Sequence, residues 1–388
     1  MSFSIEKHKF LKKIEKKLLD RLTILNQKSN PKSKYYKRRF TLESELIHVE
    51  FYLMDTFEIY HYKPIYNALL KEKGFSPIFI CEPCEKNIHG KWFDYEKAKK
   101  TLENLNLNYN ETVNPEAEIA ISTQHIRTLS KYKKIKINLQ YGTGFNKTNF
   151  CNSLFSVTGY DYRFNYAKFT NKNLSKYIHK NRMFNIGLPK QDEYYIHRPT
   201  KQKFETDKPI LLYYPTWDED SSVQLFYDEF KKLKNKFFII TKAHHCTFRL
   251  ENKKEELNKL YEISDIVLDG NSNFASSTTL GEIAIIDAKS GASTEVPYLN
   301  PDIKILYLSP RKNIKEYFHK DIFKYGYLIN DPKNLLNSTY KIYKKDKFIK
   351  DRKNTTEFFM GNFDGKATER AINAIKTIVN NEYKIEMD

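Results

Sequence analysis

YEISDIVLDGNSNFASSTTLGEIAIID, residues 261–287, is the stretch whose reading decides the fold. Its apolar run at 263–268 is too short for a helix and carries β-branched residues, so it reads as a buried strand. Asp269, Gly270, Asn271 and Ser272 then turn the chain. Ser276, Ser277, Thr278 and Thr279 open a segment that reads as a helix over 276–283. The positive end of such a helix favours an anion. Strand edge, turn and helix start together predict a phosphate cradle, although the same hydroxyls also suit an ordinary capped βα loop.

Outward from this stretch, strand and helix signals alternate. Strands are expected at 46–54, 77–81, 118–122 and 135–140, with helices over 62–73 and 95–105. After Asp207 the rhythm restarts with a strand at 210–214, a helix at 223–233, a strand at 237–241 and a helix at 254–261. Alternation of this kind predicts parallel sheets flanked by helices, hence an α/β chain of two Rossmann-like domains facing a central cleft. The expected division is a basic amphipathic helix and linker over 1–40, an N-terminal α/β domain over 41–195, and a C-terminal α/β domain over 196–388. The last helix of the C-terminal domain is free to cross back.

At 388 residues the chain is long enough for two ordinary domains. Its 40% hydrophobic and 15% aromatic content excludes wholesale disorder. No apolar run is long enough to span a membrane, and the N-terminus lacks the features of a secretory signal. Four cysteines do not make a disulfide framework over this length, which fits a reducing cytoplasm. The formal net charge of +18 suits an anionic partner. No RNA-recognition, zinc-finger or helix-turn-helix signature accompanies it, so nucleic acid is not expected. Near the start, Leu11, Ile14, Leu18, Leu22 and Leu25 share one helical face while Lys12, Lys13, Lys16 and Lys17 cover much of the rest. That stripe either docks on an anionic membrane surface or packs on the body of the protein.

Four local patterns fall at predicted strand ends, where open parallel sheets hold ligands. They are QYGTGFNK at 140–147, IGLPKQD at 186–192, LLYYPTWD at 211–218 and KAHHCTFR at 242–249. Their order and content resemble the CDP-glycerol glycerophosphotransferases, which build teichoic-acid and related capsular poly(alditol phosphate) chains. The family's Trp-His-Gly-Thr-Pro-Leu-Lys segment is resembled by Gln140, Tyr141, Gly142, Thr143, Gly144, Phe145 and Lys147. Its Gly-x-Pro-Arg-x-Asp element is similar to Gly187, Pro189, Lys190 and Asp192. Its Tyr-Ala-Pro-Thr-Trp strand end resembles Tyr214, Pro215, Thr216 and Trp217. Its Lys-x-His-Pro element resembles Lys242 and His244, with His245 in the place of proline. Its Ser-Asp…Thr-Asp-Tyr-Ser-Ser stretch is similar to Ser264, Asp265, Asp269 and Ser272, and its ending to Asp364, Gly365, Ala367 and Arg370.

The resemblance implies a GT-B-like fold and a peripheral enzyme at the inner face of the cell membrane. It moves an alditol phosphate from a CDP-activated donor to a glycan or lipid-linked acceptor and releases CMP. Lys242, His244 and Arg249 are the expected pyrophosphate ligands, with Thr216, Asp269, Ser272, Ser276, Ser277 and Thr278 beside them. Glu282 is expected on the donor ribose. Gly142, Thr143, Gly144 and Lys147 form the acceptor-side loop. The base that the family draws from its histidine is replaced here by Tyr141, a poor base at neutral pH, so His125 or Asp192 are the substitutes. Phosphate held by N–H groups and hydroxyls needs no metal or other cofactor. Cys81 and Cys84 with His89 lack further ligands at zinc spacing, and Asp218, Glu219 and Asp220 read as a loop capping the next helix. Adjacent His244, His245 and Cys246 are expected to point apart, as on a strand. Two other readings stand beside this one: a sugar-transferring GT-B enzyme or epimerase using a UDP- or CMP-sugar, and a non-catalytic basic binding protein on the same scaffold.

Overall fold

Short runs of apolar, β-branched residues buried on both faces favour parallel strands covered by helices on either side. The computed structural model, which describes residues 40–384 apart from 43, 54–55, 84–94, 124–130, 143–158, 201, 271 and 313–319, contains two such layered units. The first holds the described residues up to Tyr141, those within 150–192, and the chain from Asp364 onward; the second holds Gly142 and 193–363. The amphipathic stripe of Leu11 to Leu25 lies outside the described residues, as do Cys84, His89, His125, Thr143, Gly144, Lys147 and Cys151.

Unit 1 is a seven-stranded parallel sheet. Its strands are β1 (Ile47–Tyr52), β2 (Phe75–Ile80), β3 (Tyr109–Asn110), β4 (Ile119–Ser122), β5 (Ile135–Leu139), β6 (Tyr162–Asn165) and β7 (Met183–Asn185), in the order β3-β2-β1-β4-β5-β6-β7. Helix α1 (Thr56–Leu69) turns Ile59, Tyr62, Ile65, Tyr66 and Leu69 onto a core with Val49, Phe51 and Phe79. The spacing of three and four places those side chains on one face.

Unit 2 repeats the plan with six parallel strands. They are β8 (Ile210–Tyr214), β9 (Phe238–Lys242), β10 (Ile266–Leu268), β11 (Ile283–Asp287), β12 (Lys304–Leu308) and β13 (Tyr327–Ile329), in the order β10-β9-β8-β11-β12-β13. Helices α2 (Val223–Lys234) and α4 (Lys254–Ile263) cover one face, which buries Phe226, Phe230 and Leu260 on Leu211, Tyr213 and Ile285. Between those two helices lies the short α3 (His245–Arg249).

The stretch 261–287 folds differently from its reading. Ile263 ends α4, and the strand that follows is the three-residue, half-buried edge strand β10. Helix α5 (Phe274–Ser277) has only four residues, and the expected helix over 276–283 is absent. Residues 283–287 instead form β11, fully buried between β8 and β12. Its unbroken apolar run is what a strand covered on both faces needs. The helix that follows a central strand is therefore α6 (Ala292–Leu299).

Toward the C-terminal side follow α7 (Leu335–Lys344), α8 (Ile349–Met360) and α9 (Ala367–Glu382). The last of these lays Ala371, Ile372, Ile375, Ile378 and Val379 into the core of unit 1. Asp192 starts it, accepting from Ala367 N at 3.1 Å and Thr368 N at 2.6 Å. Gly187 sits beside that start with φ +83, and an added Cβ would meet Arg370 and Ala367.

Gly326 lets β13 begin against β12, because a Cβ there would run into the Ile305 carbonyl oxygen and lie 3.0 Å from its carbon. Backbone cannot yield as a side chain can, so Gly326→Ala is expected to destabilise unit 2 by roughly 1–3 kcal/mol. A melting curve should show a drop of about 2–4 °C per kcal/mol. Gly270→Ala, which meets only the Phe248 ring and His245 at 3.3 Å and beyond, is the control and should melt close to wild type.

Candidate functional site

Both sheets reverse strand order beside their first strand, and open parallel sheets bind ligands at the carboxyl ends flanking that reversal. In unit 2 the reversal lies between β8 and β11. The chain leaves β8 through Pro215, Thr216 and Trp217, and leaves β11 through Asp287, Ala288, Lys289, Ser290 and Gly291 into α6. Asp287 is fully buried. One of its oxygens accepts from Thr216 N at 2.7 Å and Ser222 N at 3.1 Å, and the other from the Ser222 hydroxyl. Burial outweighs these bonds and pushes its carboxyl up to about 7. Ser290 Oγ accepts from Ala292 N at 3.2 Å, so a serine side chain and a glycine introduce an eight-residue helix whose first turn carries Glu295.

Charged side chains surround this turn. Lys289 bridges Asp218 at 2.9 Å and Asp220 at 2.6 Å, while Arg311 pairs with Asp220 at 2.5 Å and Glu219 at 2.8 Å. Each carboxylate of the acidic run at 218–220 is thus paired with one of two cations.

At the end of β9, Lys242 is buried and its ammonium donates to Asp269 O at 2.7 Å. Burial lowers its pKa. His244 begins α3, accepting from Cys246 N through Nδ1 at 3.2 Å, and its ring faces Trp217 at 5.9 Å. The His244 and His245 rings lie 4.1 Å apart and 32° from parallel. They do not point apart, because β9 ends at Lys242 and strand alternation no longer applies. Together with Cys246 they offer two nitrogens and a sulfur within 4.8 Å of one another, the set among the described residues that could hold a metal ion. Arg249 is exposed at the far end of α3.

The hydroxyls around α5 have other work. Ser277, Thr278 and Thr279 donate to the carbonyls of Phe274, Ala275 and Ser276. Ser277 and Thr278 also meet the hydroxyls of Tyr214 and Tyr194. Ser276 N is capped by Asn273, and Ser272 is folded onto the Asp269 carboxylate. A four-residue helix also has little dipole to offer. Glu282 stands at the opposite end of the sheet: its N–H bonds Ile210 O, and it immediately precedes β11. It cannot reach the carboxyl ends where a nucleotide would lie.

In unit 1 the reversal lies between β1 and β4. Thr123 follows β4, takes the Tyr62 hydroxyl on its N–H at 2.8 Å, and donates its own hydroxyl to Glu58. Tyr141 follows β5, its ring stacked on Phe57 at 4.6 Å and edge-on to His61 at 5.5 Å. Gly142, next along, has φ +68, a conformation open to glycine. His61 is 6% exposed, and burial followed by the charge of Lys190 lowers its pKa well below the ordinary imidazole value. Asp192, expected as a base, spends both oxygens on the start of α9. Cys81 is a buried thiol pushed up to about 12 by burial.

Sequence reasoning missed Asp287, Ser290, Glu295, Glu58 and His61. The signal for the first three was present: an apolar run ending in an acid, then Ser-Gly, then a second apolar run. Among the described residues no helix is long and apolar enough to cross a membrane.

No protein-family model matches the sequence, and no curated protein does. Solved structures do. The chain is similar to a putative UDP-N-acetylglucosamine 2-epimerase from Listeria monocytogenes, with TM-score 0.62 and 14% identity over 88% of this chain and 98% of that one. It is similar to S. aureus MnaA in complex with UDP, with TM-score 0.61 and 12% identity over 88% and 100%. It is also similar to the wall teichoic acid polymerase TagF soaked with CDPG, with TM-score 0.56 and 14% identity over 87% and 90%. The two parallel-sheet α/β units have the GT-B-like fold that these proteins share.

Asp287 makes a pH prediction. Its folded-state value near 7 lies above the ordinary 3.8, so the native protein holds the extra proton between those limits. The stability it contributes is complete below the lower limit and is lost as pH rises toward 7. Asp287→Asn keeps an oxygen for the two N–H donors and removes the titration. Melting temperatures from about pH 5 to 8 should therefore fall less steeply in the variant; an unchanged slope removes Asp287 as the cause.

Proposed function

We propose that the protein transfers an alditol phosphate, glycerol phosphate or a close relative, from a CDP-activated donor to a hydroxyl of a glycan or lipid-linked acceptor and releases CMP. The observation that carries this reading is the contact of Trp217 with His244. These residues belong to two separate strand-end elements that resemble the same family, and the fold brings them face to face at the carboxyl ends of β8 and β9. The likeness to TagF supports it as a fold.

The chemistry follows from what surrounds that contact. An acceptor oxygen attacks the β-phosphorus, and the bond to the bridging oxygen breaks with its electron pair leaving on CMP. Negative charge grows on the pyrophosphate, so cations and oriented N–H groups lower the barrier. Lys242 and His244 supply side-chain donors from β9, with Arg249 further along α3. Thr216, anchored through Asp287, supplies a donor from β8, and Ser290 with the start of α6 supplies the helix end. Glu295 in the first turn of α6 takes the ribose role first given to Glu282. The donor is a substrate, and no resident metal or cofactor is part of this proposal.

A second reading has its own support: the likeness to UDP-N-acetylglucosamine 2-epimerases favours a nucleotide-sugar substrate on the same donor ledge. Thermal shift with CDP-glycerol, CDP-ribitol, UDP-N-acetylglucosamine and a CMP-sugar separates the two, because a ligand of the folded state raises the melting temperature by mass action. CDP-alditols alone should stabilise; a shift with the UDP-sugar alone sinks the transferase reading.

Two variant sets test the ledge. His244→Ala should abolish CMP release while melting near wild type, and near-normal turnover removes it from the mechanism. Ser290→Ala should weaken CMP binding roughly three- to tenfold, the loss of one donor worth about 0.5–1.5 kcal/mol. Ser277→Ala should leave the dissociation constant unchanged, because that hydroxyl is spent on the Phe274 carbonyl and on Tyr214.

A further inference from the structure

A hydroxyl that attacks phosphorus must give up its proton, and catalysis at neutral pH needs a positioned group to take it. The carboxyl ends of unit 1 hold several groups of the right kind. Glu58 is occupied by the Thr123 hydroxyl, and Asp192 by two N–H groups of α9. Tyr141 packs its ring on Phe57 and against His61. His61 differs from all of these. Among the described residues its ring nitrogens take no hydrogen bond, and its contacts are with rings.

Resting on the transferase reading, we infer that His61 is the general base that accepts the acceptor hydroxyl's proton, with Phe57 and Tyr141 fixing its ring and Lys190 facing it. Phe57 sits one helical turn earlier, edge-on to the imidazole at 6.4 Å, and stacks on Tyr141, which is edge-on to the same imidazole at 5.5 Å. The ring is thereby held from its own helix and from the end of β5. Two titratable groups face it, Tyr141 after β5 and Lys190 in the turn after β7, while Glu58, three residues earlier on α1, is tied to Thr123. Burial and the lysine keep the imidazole neutral, as a base must be. The same lysine offers a cation to an anionic acceptor such as a growing phosphodiester chain.

The step balances. The acceptor O–H bond breaks and its proton goes to an imidazole nitrogen. The oxygen's electron pair forms the new P–O bond, the old bridging P–O bond breaks, and its electrons leave with CMP. The imidazolium then returns the proton to water.

The test uses the full chain with CDP-glycerol as donor and molar glycerol as surrogate acceptor, with CMP release read against pH. His61→Gln and His61→Ala should lose about 10²- to 10⁴-fold in kcat. Their affinity for CMP and their melting temperatures should stay near wild type. Added imidazole should restore part of the His61→Ala rate. The wild-type rate should hold as pH falls through 6.5 and decline only below it, because the neutral base persists there. A folded His61→Gln enzyme with near wild-type kcat overturns the inference. So does a loss of rate that imidazole cannot rescue and that leaves the acid limb in place. A wild-type enzyme that releases no CMP from CDP-glycerol overturns instead the transferase reading beneath it.

Discussion

At the end of the innermost strands of unit 2, the buried carboxylate of Asp287 gathers Thr216 and Ser222 from the loop after β8. That loop must turn sharply away from the sheet, which leaves backbone N–H groups pointing inward with no strand to pair them. Unsatisfied, each would cost about 1–3 kcal/mol. One acceptor from the next strand satisfies them, and it does so at the point of strand-order reversal. The position of Thr216 and Trp217 therefore follows from a core hydrogen-bond requirement, and the ledge they form with His244 inherits its rigidity.

The charges around the ledge are arranged on the same logic. Asp218, Glu219 and Asp220 could have repelled a pyrophosphate, but Lys289 and Arg311 pair with them and offset most of their charge. Lys242 donates to the Asp269 carbonyl, and the nearby Asp269 carboxylate offsets part of its charge. With a formal net charge of +18, the chain has attraction for anions to spare; selectivity has to come from oriented donors.

The alternation of strands and helices was legible because the period of the apolar pattern is a local property, and the two-unit α/β architecture followed from it. The strand ends at Thr216 and Lys242–His244 were legible for the same reason. The stretch 261–287 misled because two apolar runs flank one Ser/Thr-rich crossover, and short apolar runs do not distinguish helix from strand. The first run, preceding the turn and the serines as a strand precedes a helix, attracted the cradle; the second, at 283–287, is the buried one. Burial on both faces is a tertiary fact, and five apolar residues suit a buried strand and a helix segment alike. His61 was hidden for a related reason: it lies 80 residues from Tyr141 in sequence, and only the packing of α1 on β5's end joins them. His244 and His245 were read with strand geometry although they lie two and three residues past the end of the strand.

The central claim is that a CDP-alditol is cleaved at its pyrophosphate to give CMP. Phosphorus-31 NMR of the full chain with CDP-glycerol and an excess of glycerol tests it directly. The two pyrophosphate resonances should disappear together while one phosphomonoester signal, CMP, and one phosphodiester signal grow in equal amounts. UDP-N-acetylglucosamine should pass through unchanged. An inert CDP-glycerol alongside a UDP-sugar that is epimerised or split to UDP would contradict it.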